Sequence, residues 1–144
     1  VRTGASVSFP NKDNLLHHVY SFSKTKRFEI SLYAGTPVNP LVFDQPGVVP
    51  LGCNIHDWML AYIYVTDAPY FTKSNNLGVA VIHNIPAGQY QLQIWHPRIK
   101  DNKTYQNQTI VVTNNITTNL KFTLQLKRNR RLVEPDDYYG DSDY

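Results

Sequence analysis

Hydrophobic and polar positions alternate along most of this chain with a period of two, in runs of strand length. The clearest runs fall at residues 5–9, 15–22, 28–32, 41–43, 47–53 and 60–66, and the register restarts at 79–83, 89–95, 108–113 and 119–126. Turn-forming residues separate them: Pro10-Asn11, Gly35-Thr36-Pro37, Gln45-Pro46-Gly47, Asn75-Asn76-Leu77-Gly78, Pro86-Ala87-Gly88 and Asn114-Asn115. No window holds a sustained helical period with caps. The pattern therefore predicts an all-β chain, built as two sandwich-like units joined near residues 67–71. From Glu134 to Tyr144 the pattern stops. Acidic residues alternate with tyrosines there and no core face remains, which predicts a solvated tail.

Composition supports a packed core, since 42% of the 144 residues are hydrophobic, and it excludes wholesale disorder. Ten tyrosines and abundant Val, Ile, Thr and Phe favour strands. The net charge of +3 is mild, and most of the basic excess lies in Lys127-Arg128-Asn129-Arg130-Arg131. That run is a solvated linker or a contact for an acidic partner; it is no nucleic-acid surface. A single cysteine rules out an internal disulfide, and no apolar run reaches membrane-spanning length. The chain opens at Val1-Arg2-Thr3-Gly4 on what reads as the end of a strand, which leads us to expect a removed upstream segment. Asn102-Lys103-Thr104, Asn107-Gln108-Thr109 and Asn115-Ile116-Thr117 fit glycosylation sequons, but read as ordinary polar strand ends.

The chemistry concentrates in Gly52-Cys53-Asn54-Ile55-His56-Asp57-Trp58-Met59, which holds the only cysteine and the only methionine. Thiolate and thioether are soft donors, and imidazole suits copper and zinc, so Cys53, His56 and Met59 form three-quarters of a soft-metal site. Two histidines, one cysteine and a weak axial methionine make the blue-copper electron-transfer arrangement. The second histidine must come from elsewhere, and His17-His18 on a predicted strand can supply it. Alternation says only that these two rings face opposite ways. A lone cysteine is usually a small buried hydrophobe, and zinc is the alternative metal, although zinc sites rarely recruit methionine. Asn54 and the His18 side are candidates to orient the imidazoles. Trp58 reads as a wall of the site or as ordinary packing. His96 reads as a strand-end residue and His83 carries no role.

The segment from Phe43-Asp44-Gln45-Pro46-Gly47 to Cys53, His56 and Met59 resembles the ligand loop of cupredoxins. The Phe-x-x-Pro-Gly approach is similar to plastocyanin-like members, and the Cys-x-x-His-x-x-Met spacing is similar to amicyanin. Upstream, Asn11-Lys12-Asp13-Asn14-Leu15-Leu16-His17-His18-Val19 resembles the family segment in which an Asn precedes a ligand His. The resemblance implies a Greek-key β-sandwich over residues 1–67 with its opening strand missing, and it gives His17 the ligand position. His18 stands where many members have an Asn that ties the two ligand loops together. Residues 68–127, through Asn76-Leu77-Gly78-Val79-Ala80-Val81-Ile82 and Ile85-Pro86-Ala87-Gly88-Gln89-Tyr90, resemble a carboxypeptidase-regulatory-like, transthyretin-type sandwich. The charged tail is 128–144. The two modules occur together in bacterial periplasmic proteins labelled as methylamine-utilisation proteins.

The resemblance implies a type 1 copper protein that carries electrons, with no enzymatic activity. A copper storage, delivery or resistance protein and a structural sandwich subunit are the alternatives. A redox partner or a copper donor or acceptor is expected, in a periplasmic or extracellular bacterial setting. The missing opening strand and the tyrosine-rich tail lead us to expect a homo-oligomer or larger complex formed through the N-terminal edge and the tail.

Overall fold

The computed structural model describes residues 1–37, 39–100 and 107–128. The tail from Glu134 to Tyr144, most of the basic run and the first sequon lie outside them. Among the described residues the chain is all-β, a sandwich fold with no helix. The described residues divide into two compact units, Val1–Ala68 and a second that runs from Pro69 to residue 128.

The first unit contains six strands: β1 (Ala5–Val7), β2 (His17–Phe22), β3 (Arg27–Tyr33), β4 (Leu41–Phe43), β5 (Gly47–Cys53) and β6 (Leu60–Val65). One antiparallel sheet runs β3-β2-β5-β6, and β1 pairs with β4 in a second. Between the sheets lies a small core. Phe43, Val49 and Val65 are fully buried, with Val7, Phe9, Phe28, Leu41, Leu51 and Ile63 packed around them. Phe28 of one sheet meets Phe43 of the other edge-on, with ring centroids 6.2 Å apart. Alternation explains the burial: Val49, Leu51 and Cys53 point inward along β5, while Pro50 faces solvent.

Two local features set up the site. Gly47 closes the Asp44–Gly47 turn with φ of 141°, a region that side chains avoid, and a Cβ there would come within 2.3 Å of the Thr25 hydroxyl. The second feature is a bulge. His17 pairs with Tyr33 and Val19 with Ile30, so β3 carries one residue more than β2 over this interval. The alternating burial of β3 slips at Ser31-Leu32, where the extra residue sits. Pairing between β2 and β5 is short, limited to Val19 with Cys53 and Tyr20 with Gly52. Beyond it the strands part around Pro50, and the Ser23 hydroxyl donates to the Val48 carbonyl at 2.8 Å.

The second unit holds β7 (Gly88–Leu92) paired antiparallel with β8 (Gln108–Val112). The Tyr90 hydroxyl donates to the Pro86 carbonyl at 2.9 Å and braces the turn before β7. Two expected strands do not form. At 79–83 the Asn75 side chain accepts the Val79 amide at 3.0 Å, so a turn takes the hydrogen bond a ladder would need. Across 119–126 only Leu126 bridges, to buried Ile99. Leu77, Val79, Val81 and Leu120 stay exposed, while Phe122, Leu124 and Leu126 are half-buried, so alternation at 119–126 survives in the burial without a ladder.

Candidate metal centre

Cys53 ends β5 on the core side and is only 3% exposed. Its pairing with Val19 brings the start of β2 alongside. The His18 amide donates to the Cys53 sulfur at 3.5 Å, and the Asn54 amide donates to the His18 carbonyl at 3.0 Å. The tie between the two loops is thus made by backbone, and the Asn54 side chain itself is exposed.

The two adjacent histidines separate cleanly. His17 is buried, and its Nδ1 lies 3.9 Å from the Cys53 sulfur. The His18 ring turns to the opposite face of the sheet, where Nε2 meets the Glu29 carboxylate at 2.6 Å. His56, on the loop after β5, presents its own Nδ1 to the same sulfur at 3.5 Å. The His17 and His56 rings lie 5.0 Å apart, and the donor atoms of His17, Cys53 and His56 all fall within 4.8 Å of one another. The Met59 amide donates to the His56 carbonyl at 3.0 Å, closing the turn that carries His56, and Trp58 packs 5.3 Å from the His56 ring. Met59 is half-buried on this turn. His96, in the second unit, accepts the Arg98 amide on Nδ1 at 3.1 Å, and burial together with Arg98 holds its pKa down.

Two residues of the upstream segment, to which the sequence assigned no role of their own, complete the surroundings. The Asp13 carboxylate meets His17 Nε2 at 2.6 Å. Asn11, itself buried, holds the loop: its side-chain amide donates to the Leu15 and Tyr33 carbonyls at 2.8 and 3.0 Å. Besides the resemblance that sets an Asn ahead of the ligand His, the sequence signal was the Asn-x-Asp spacing, which reads equally well as an ordinary turn.

Electrostatics favour the thiolate. Burial pushes the Cys53 thiol up, but donation from the His18 and Ile55 amides and from the His17 and His56 rings outweighs it and brings the pKa down to about 6. The hydrogen bond to Cys53, then that to Asp13, raises His17 against the opposing effect of burial. An ion held ~2.0 Å from nitrogen and ~2.3 Å from sulfur sets those atoms about 3.5 Å apart in a tetrahedral site and about 3.7 Å in a trigonal one. The observed separations of 3.5 and 3.9 Å bracket these values, so the donors fit a single metal ion. The series Cys53–His17–Asp13 also has the order of a nucleophile, a base and its orienter. The sulfur also meets a second imidazole, that of His56, which a nucleophile and its base do not require. Comparison with protein-family models, with curated proteins and with solved structures finds no match for this chain.

Proposed function

We propose that this chain is a type 1 copper protein that carries electrons, its first unit a cupredoxin-like sandwich. One observation carries the reading: two imidazole Nδ1 atoms converge on one buried thiolate, at 3.9 and 3.5 Å. His17, Cys53 and His56 would hold the metal in the plane, with Met59 as the weak axial donor. Bound copper would supply one-electron cycling between Cu(I) and Cu(II). The protein's part is to keep the donors still. Cys53 and His17 are fixed at strand ends and His56 by the Met59 turn, which limits rearrangement between oxidation states. Leu15, Leu16 and Ile55 are exposed beside the two histidines in sequence and suit contact with a redox partner. Among the described residues no helix is long and apolar enough to cross a membrane. By resemblance the setting is the bacterial periplasm or the extracellular space.

The test is an absorption spectrum. Copper(II) added to the protein should give intense visible thiolate-to-copper charge transfer, and Cys53→Ser should abolish it. A colourless copper(II) complex, or colour that survives the substitution, rejects the reading. Rapid loss of copper to a competing apo-protein, without a reversible redox wave, would instead favour copper storage or delivery.

A further inference from the structure

We propose that Asp13 is a positioning residue for this centre: it fixes the His17 ring with Nδ1 toward Cys53 and biases the site toward Cu(II). The inference rests on the copper reading above. A carboxylate only accepts hydrogen bonds, so the 2.6 Å contact keeps a ring proton on Nε2, and a metal ion that displaces the Nδ1 proton shared with Cys53 would meet the Nδ1 lone pair. Neutral imidazole in this tautomer is the form that binds a metal.

Asp13 is itself held. Its amide donates to the Asn11 side-chain oxygen at 2.9 Å, an Asx turn that sets the loop. Asn11 in turn reaches the Leu15, Tyr33 and Gly35 carbonyls at 2.8, 3.0 and 2.6 Å. The loop ahead of β2 is thereby anchored to β3 and to the turn beyond it. A carboxylate on a histidine raises the basicity of the ligating nitrogen, which stabilises the more highly charged metal state. The Asp13 side chain is 63% exposed, so solvent screens its charge and the effect falls toward the lower end of the range such partners span.

The neighbouring histidine provides an internal control. His18 and Glu29 form a contact of the same 2.6 Å length on the opposite sheet face, away from the sulfur. Three variants of the full chain, Asp13→Asn, Asp13→Ala and Glu29→Gln, are compared with the wild type for copper(II) affinity, copper(I) affinity and reduction potential. Asp13→Asn keeps an accepting oxygen and removes the charge, whereas Asp13→Ala removes both; each should weaken copper(II) binding by about tenfold, Asp13→Ala the more strongly. Copper(I) affinity should fall less. The potential should rise by about 59 mV for each tenfold change in the ratio of the two affinities. Glu29→Gln should leave all three at wild-type values. A wild-type protein with thiolate-to-copper colour and Asp13 variants of unchanged affinity and potential would overturn the role of Asp13 alone. Equal shifts in Asp13→Asn and Glu29→Gln would overturn it too, as a general charge effect. A wild type without the colour removes the copper reading and this inference together. If Asp13→Ala fails to fold, the near-isosteric Asp13→Asn still decides.

Discussion

Replacing the two adjacent histidines one at a time gives a contrast whose size follows from the structure. His17→Ala removes a ring whose Nδ1 stands 3.9 Å from the Cys53 sulfur, and it strips away one of the donors that keep the thiolate charged. Loss of a supporting contact around a metal typically costs ten- to a hundredfold in affinity, so loss of a ligand should exceed about a hundredfold, or about 2.8 kcal/mol. His18→Ala removes a ring that faces the other way. Its hydrogen-bond partner Glu29 is 61% exposed, so that contact is worth no more than about 1 kcal/mol of stability. The donor that His18 gives the sulfur is its backbone amide, which alanine also has. Copper titration followed by charge-transfer absorbance, alongside denaturant unfolding of the metal-free proteins, reads both quantities. His17→Ala should lose the colour and His18→Ala should keep affinity within a few-fold. Equal losses in the two variants, or a greater loss in His18→Ala, would refute the assignment of the rings.

In the metal-free protein, ultraviolet thiolate absorbance should rise with a midpoint near pH 6, and a midpoint at or above the free-thiol value of about 8.5 contradicts the electrostatic account. Because the folded thiol lies below its unfolded value, its stabilising contribution is complete above about pH 8.5 and is lost as pH falls toward 6. His17, raised on folding, acts in the opposite sense: its contribution holds at low pH and fades as pH rises through its raised value. Gly47→Ala should cost about 1–3 kcal/mol in denaturant unfolding, through its positive φ and the approach of Thr25, and a neutral result would mean the turn relaxes freely. The acidic tyrosine-rich tail should drive self-association, so light scattering should give a larger particle for the full chain than for one ending at Val133; monomers in both cases reject this.

The strands of the first unit were legible because alternation and turn chemistry agree there: residues 41–43 and 47–53 are bounded by Pro40 and the Gln45-Pro46-Gly47 turn and form as read. In the second unit alternation at 79–83 misled, since the Asn75 side chain competes for the backbone donors and periodicity carries no record of that. Cys53 and His56 were legible from donor softness alone. Alternation did not choose between His17 and His18, because a period of two fixes opposite faces without saying which face is inward; only the cupredoxin resemblance pointed to His17. Which of the two rings lies beside the Cys53 sulfur follows from the register of β2 against β5, with the extra β3 residue placed opposite His18. Asp13 and Asn11 were hidden for a different reason: their partners lie in backbone positions and on a ring that folding alone brings near.

The brevity of the β2–β5 pairing has a consequence for how the first unit comes apart. Only two residue pairs join these central strands, yet His17 and Cys53 are 36 positions apart in the chain. An ion shared by the two side chains would act as a cross-link across that loop. Because the ion binds the folded site, it stabilises that site by about 1.4 kcal/mol for each tenfold excess of free ion over its Kd. Most of the mechanical strength between the two halves of the sheet would then reside in a bond that a chelator can cut. The loaded protein should unfold slowly and as one body, whereas the stripped protein has a seam along which β3-β2 can part from β5-β6.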